Sequence, residues 1–236
     1  MSNIRARIDT RDWNEIVRGL HDNGFVIVRD ILDKEDCDNF IRNYNAPNTY
    51  RKVVNMDRHR YGSGEYKYFQ YPLPDSVTQL RDLVYPKIVG VANRWMEELN
   101  LDRRFPPTHE ELKLLCHEKG QTKPTALILK YGEGGFNALH QDLYGEIFFP
   151  MQVVLMLNQV GEDYSGGEFV ITEQIPRAQS KANVLTPNRG DMIIFTTNLR
   201  PIKSVRCYSR VIMKHGVSPL HAGVRHTLGV IFHDAG

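Results

Sequence analysis

From Pro124 onward, short runs rich in Val, Ile, Leu, Phe and Tyr alternate with turn residues, and this rhythm constrains the fold more than any other feature. Such spacing belongs to an all-β sandwich or barrel. It predicts strands near 125–131, 136–143, 146–158, 167–172, 191–196, 205–215 and 224–232. The first half reads differently. Trp13, Ile16, Val17 and Leu20 recur at helical spacing, so a helix is expected with Thr10 as N-cap and Asn23-Gly24 as its stop. Phe25–Val28 reads as a strand, and Asp33 caps a helix running to about Asn43. A long helical stripe from Leu80 to Leu99 should be kinked or split by Pro86. Thr108 and Glu111 form a capping-box pair for a helix ending near Gly120. Residues 45–75, rich in Asn, Pro, Gly and Tyr, read as a long loop or paired short strands. The expectation is a mainly β protein with N-terminal helices and a jelly-roll core. One domain over 1–236 is expected, with 1–123 as helical support and substrate-loop region and 124–236 as the jelly roll.

The same residues exclude several classes. The most apolar stretch, Phe148 to Leu157, is broken by Pro150 and Gln152, well short of the roughly 20 apolar residues a spanning helix needs. No membrane association is expected. The start, MSNIRARIDTRDW, lacks a signal-type apolar core, so a cytoplasmic location is expected. Cys37, Cys116 and Cys207 are widely separated and read as reduced, mostly buried thiols. The net charge of +2 conceals a split: residues 1–173 carry 21 basic and 26 acidic side chains, and 174–236 carry 9 and 2. A polyanion-binding face and simple strand-edge protection are both consistent with that split.

His140 and Asp142 stand two apart in an expected strand, so both side chains leave one face. The best third ligand is His215, at the end of the run Val205–His215, where Cys207, Ser209, Val211 and Met213 share its face. Arg206, Tyr208, Arg210 and Lys214 occupy the other. Two histidines and a carboxylate leave coordination positions open, which suits non-haem Fe(II) binding a cosubstrate and dioxygen together. Zinc more often takes three protein ligands and a water, and performs no redox chemistry. In the next strand Arg225 and Thr227 share a face, and an arginine fork with a hydroxyl suits capture of a dicarboxylate.

Tyr131-X-X-Gly134, His140-X-Asp142, Gly166-Gly167-Glu168-Phe169, Gly190-Asp191, His215 and Arg225-X-Thr227, in that order, resemble the Fe(II)- and 2-oxoglutarate-dependent oxygenases. The resemblance spans residues from about 125 to 233 and implies a double-stranded β-helix core. It implies that His140, Asp142 and His215 bind iron, and that Arg225, helped by Thr227, binds the C5 carboxylate of 2-oxoglutarate. Tyr131 is a further candidate contact to that cosubstrate, with core packing as its alternative. Fe(II), 2-oxoglutarate and O2 are therefore the expected cofactors, with succinate and CO2 released. Related halogenases keep a small residue where this chain has Asp142, so hydroxylation is expected.

More closely, the chain resembles a bacterial branch proposed to act on alkylated nucleic acids. Tyr50, Tyr61, Tyr66, Tyr68, Phe69 and Tyr71 interleave with Arg51, Lys52, Arg58, Arg60 and Lys67, a mixture suited to stacking a base and neutralising phosphate. Arg58, Arg60, Tyr61 and Tyr68 are the candidate substrate residues, nucleic acid the candidate partner, and the segment a candidate lid. The well-known base demethylases of the superfamily carry a second arginine six residues after the first, and here that position is Ile231. Hydroxylation of an amino acid, peptidyl residue or other small molecule stays open, as does a non-catalytic jelly-roll binding module. The oligomeric state is left open.

Overall fold

A computed structural model describes residues 3–59, 61–204 and 207–236. Helices α1 (Ile4–Asp9), α2 (Trp13–Asn23) and α3 (Lys34–Arg42) surround strand β1 (Phe25–Val28). A ribbon follows, made of β2 (Tyr50–Asn55), β3 (Gly62–Ser63) and β4 (Glu65–Phe69). Helices α4 (Asp75–Glu98) and α5 (His109–Glu118) come next. The remainder is strand: β5 (Leu127–Tyr131), β6 (Phe136–His140), β7 (Met151–Met156), β8 (Tyr164–Gly166), β9 (Phe169–Gln174) and β10 (Lys181–Leu185). It closes with β11 (Met192–Thr196), β12 (Leu199–Lys203), β13 (Tyr208–Val217), β14 (Leu220–Gly223) and β15 (Arg225–Ile231).

The strands pair antiparallel into a larger sheet, β1-β11-β7-β15-β5-β4-β2, and a facing one, β10-β9-β13-β6-β3, with β12 added beside β13. This is the mainly β, jelly-roll arrangement expected. Strand alternation explains how the larger sheet serves two layers at once. On β7, Met151, Val153 and Leu155 join the core shared with the helices, while Val154 and Met156 join the core between the sheets. On β11, Met192 and Ile194 face the helices and Ile193 and Phe195 the second sheet. Strands buried on both faces read as unbroken apolar runs. α4 closes the helical layer with Leu80, Val84, Ile88 and the fully buried Trp95.

Several sequence expectations need correction. The N-cap of α2 is Asp12, whose carboxylate accepts from the Asn14 and Glu15 backbone N–H groups, while Thr10 ends α1, a helix the periodicity did not reveal. α4 runs unbroken through Pro86. Pro86 and Asp82, whose carbonyl loses its intrahelical partner, both lie on the exposed face of the helix. Strands β8, β10, β12 and β14 were not anticipated: β10 is short, exposed or half-buried throughout and includes Lys181 and Asn183, and β12 contains Pro201, so neither carries a clear apolar signal. The expected strand 205–215 runs instead from Tyr208 to Val217, and its first two residues, Val205 and Arg206, lie outside the described residues. Cys37 and Cys116 are buried, but Cys207 is exposed. His109 and His233 are buried. Among the described residues, no helix is long and apolar enough to cross a membrane.

The neutral form of His233 is built into this packing. The ring is fully enclosed, and Nδ1 accepts from the Phe149 N–H at 3.1 Å. Burial, then the charge of Arg81, pushes its pKa down to about 4. Below about 6.5 the unfolded chain therefore binds a proton that the folded chain refuses until about 4. Stability should fall as pH drops through that window, by up to about 1.4 kcal/mol per pH unit from this residue. Urea midpoints measured from pH 7 to 4.5 should show a flatter dependence in His233→Asn; equal slopes would refute the assignment.

Candidate active site

One cavity of about 380 Å³ opens between the sheets, and both ends carry polar groups. At one end, His140 closes β6 and Asp142 follows two residues later, while His215 sits directly opposite His140 in the β13–β6 register. The imidazole centroids are 4.2 Å apart. One ligand atom from each of the three residues lies within 4.8 Å of the others. His140 Nε2 is 3.5 Å from Asp142 Oδ1, and His215 Nε2 is 3.4 Å from Asp142 Oδ2. His140 Nδ1 lies 2.8 Å from the Ala138 carbonyl. A carbonyl only accepts, so Nδ1 carries a hydrogen and Nε2 is the nitrogen turned towards the carboxylate. Burial lowers the pKa of His215, which favours the neutral, ligating ring. Burial opposes ionisation of Asp142, but bonds and charge from His215, the charge of His140 and a bond from Gln152 hold the carboxyl well below the usual range.

Two supporting residues escaped the sequence reading. Tyr144 donates to Asp142 Oδ1 at 2.8 Å, and Gln152 Nε2 donates to Oδ2 at 2.8 Å while lying 3.3 Å from His215 Nε2. Gln152 reaches across from β7 in the opposite sheet. Its signal was visible: a single amide inside an otherwise apolar, fully buried strand. Gln121, only 3% exposed, holds the Asp142-bearing loop by donating to the Ile147 and Asp234 carbonyls at 2.9 and 2.6 Å and accepting from the Ile147 N–H at 2.8 Å.

At the other end, Arg225 and Thr227 stand on β15, each 1% exposed, with Arg225 opposite Tyr131 and Thr227 opposite Leu129. Among the described residues the Arg225 Nε and Nη1 groups have no hydrogen-bond partner, and Nη2 meets Met156 Sδ at 3.5 Å. A buried guanidinium in that state is costly unless an anion joins it. The Gly166-Gly167 pair serves this end, because a Cβ on Gly167 would lie 2.5 Å from Leu220 Cδ1 and 3.2 Å from Arg225 Cδ. The Gly190-Asp191 pair is structural: Asp191 is buried and accepts from Arg29 and from the Asp30 and Asn188 N–H groups.

The ribbon forms the cavity's aromatic wall. β2 pairs with β4, β4 extends the larger sheet beside β5, and β3 joins β6 of the facing sheet. Residues 45–75 therefore form paired strands bridging both sheets. Tyr61, Tyr66 and Tyr68 line the cavity. Tyr61 and Tyr66 share a 2.9 Å hydroxyl contact, and the rings of Tyr66 and Tyr68 meet edge to face at 5.3 Å. Arg58 is exposed in the turn Met56–His59 and is not part of the cavity wall, and Arg60 lies outside the described residues. Lys67 is buried over Tyr44 and so is not offered to a partner, while the half-buried Arg51 lies over Tyr68 and donates through Nε to the Pro124 carbonyl. Ile231 also lines the cavity, paired with Gln152 across β15 and β7.

The donor set fits a hexacoordinate, oxygen-activating metal, with two imidazoles and one carboxylate clustered on one side and open space on the other. Comparison with known proteins agrees. Residues 64–235 match the Oxygenase-NA family, described as an oxygenase catalysing oxidative methylation of damaged DNA. Two Mycobacterium tuberculosis proteins, both named as uncharacterized, are 42% identical over 167 residues, covering 71% of this chain and 72% of theirs. A Trichoplax adhaerens prolyl hydroxylase, solved with a hypoxia inducible factor peptide, superposes with a TM-score of 0.60 at 16% identity over 98% of this chain and 92% of that one. A Burkholderia pseudomallei oxidoreductase of the 2OG-Fe(II) oxygenase family gives 0.54 at 16% identity, over 96% and 94%. At such identities the likeness is one of fold. The chain thus belongs to the Oxygenase-NA family of oxygenases, and it has the fold of the 2-oxoglutarate- and Fe(II)-dependent oxygenases.

Proposed function

We propose that this protein is an Fe(II)- and 2-oxoglutarate-dependent dioxygenase that hydroxylates an alkyl group on a nucleic-acid base. The observation that carries the reading is the pairing, in one cavity, of the His140–Asp142–His215 cluster with a buried arginine whose Nε and Nη1 lack partners. The three residues hold the iron through His140 Nε2, the Asp142 carboxylate and His215 Nε2. Arg225 and Thr227 hold the distal carboxylate of 2-oxoglutarate, with Tyr131 beside them. Iron bound there supplies oxygen activation coupled to decarboxylation of 2-oxoglutarate to succinate. The protein's own part is geometric and electrostatic. Tyr144 and Gln152 fix the carboxylate, the Ala138 carbonyl fixes the His140 tautomer, and the apolar floor keeps bulk water from the reacting carbon.

The family description and the aromatic wall support the base as substrate. Three tyrosines beside the metal ligands provide ring faces and edges for a flat heterocycle. A base inside a duplex must leave its stack to reach such a cavity. A methyl group on a ring nitrogen, once hydroxylated, departs as formaldehyde and restores the unmodified base. One observation favours an amino-acid or peptidyl substrate instead: the apolar Ile231 on the cavity wall, where the well-known base demethylases have arginine. Succinate and formaldehyde release separates the readings. Methylated single-stranded oligonucleotides should stimulate both products, and stimulation by prolyl peptides or free amino acids alone would overturn the base assignment.

Two further outcomes follow from the geometry. Arg225→Ala should raise the 2-oxoglutarate requirement about 30-fold or more, the scale of about 2–5 kcal/mol for losing one side of a buried charged pair; an unchanged requirement would remove its role. Tyr144→Phe and Gln152→Leu should each weaken Fe(II) binding by about 10–100-fold, measured by anaerobic titration. Wild-type metal affinity in both would show that Asp142 needs no such support.

A further inference from the structure

The one hydrogen bond that the Arg225 side chain makes among the described residues is to a thioether. Nη2 lies 3.5 Å from Met156 Sδ, while Nε and Nη1 are buried without partners. Met156 is itself firmly placed. In the β15–β7 register it stands opposite Thr227, two residues from Arg225 and on the same face, a diagonal that long side chains span. Its N–H donates to the Asp191 carbonyl at 3.1 Å, and its carbonyl accepts from the Gly190 N–H at 2.8 Å and from the Cys37 thiol. The Gly190-Asp191 turn thereby fixes the residue that touches the arginine. Met156 is 1% exposed, so water does not compete for that contact.

Sulfur is a weak acceptor. It directs a guanidinium without neutralising it and without consuming the donors that a carboxylate needs. An amide or carboxylate at the same place would form a strong, charge-assisted bond and satisfy the arginine internally. We propose that Met156 is a positioning residue for cosubstrate binding: its sulfur aims Arg225 into the cavity and leaves the cationic fork available to the carboxylate of 2-oxoglutarate. The inference rests on Arg225 being the 2-oxoglutarate anchor.

The test is a calorimetric titration of 2-oxoglutarate into the anaerobic Fe(II)-loaded protein, with Fe(II) affinity measured separately. Met156→Gln, which keeps the length but offers a strong acceptor, should bind 2-oxoglutarate about tenfold or more weakly. Met156→Leu, which keeps the volume but lacks the acceptor, should bind about threefold more weakly. Fe(II) affinity should stay within about twofold of wild type in both, and turnover at saturating 2-oxoglutarate should be preserved, a split that loosened packing would not produce. Wild-type 2-oxoglutarate affinity in both variants, or a parallel loss of Fe(II) affinity, would overturn the inference. If the glutamine variant does not fold, wild-type affinity in Met156→Leu overturns it alone. Arg225→Ala is titrated alongside: unaltered 2-oxoglutarate binding there would overturn the underlying reading rather than the role of Met156.

Discussion

A buried guanidinium with no ion-pair partner among the described residues is the feature around which the rest of this structure is arranged. Arg225 could not be kept there by its own contacts, which amount to a thioether and the flanking rings of Tyr131 and Tyr164. It is held by its strand. β15 runs between β7 and β5 in the middle of the larger sheet, and the neighbours of Arg225 on the opposite face anchor it: Leu228 and Val230 lie in the core shared with the helices. Alternation along that strand places Arg225, Thr227, Gly229 and Ile231 on the cavity side. The apolar half of the strand stabilises the fold, and the polar half faces the chemistry.

The metal end follows the same logic from the facing sheet. Antiparallel register sets His215 opposite His140, so the two imidazoles meet because the strands pair, with no loop required to bring them together. Asp142 lies just beyond β6, and three separate elements restrain it: Tyr144 on its own loop, Gln152 on the opposite sheet, and Gln121 after α5, which pins the loop. Rigid elements therefore position each group, the condition for a site that must hold a metal and two further ligands in fixed relation.

Much of this was legible in the sequence because successive side chains leave opposite faces of a strand whatever their polarity. His140, His215, Arg225 and Thr227 meet in one cavity as their strand faces required, whereas the expected strand 136–143 stops at His140 and Asp142 joins them from the loop beyond it. What was not legible depends on pairing between distant segments. The ribbon of residues 50–69 could not be placed from its composition, since Lys67 and Arg51 look like surface cations until the fold buries one over Tyr44 and sets the other over Tyr68. The charge split is only partly rearranged in space. Of the basic residues in 174–236, Arg200 pairs with Glu173, Arg189 lies 3.9 Å from Asp163 and Arg225 turns inward, while Arg177, Lys181, Lys203, Arg210 and Lys214 are exposed.

The central claim is that one cavity binds iron and 2-oxoglutarate together through these residues. An anaerobic titration of Fe(II) in the presence of 2-oxoglutarate tests it most directly, by the visible charge-transfer band that forms when the metal and the ketoacid are in contact. The expected result is a band in the wild-type protein that is absent in His215→Ala and appears only at much higher 2-oxoglutarate in Arg225→Ala. A folded wild-type protein that gives no band, or a band of equal strength in His215→Ala, would contradict the account.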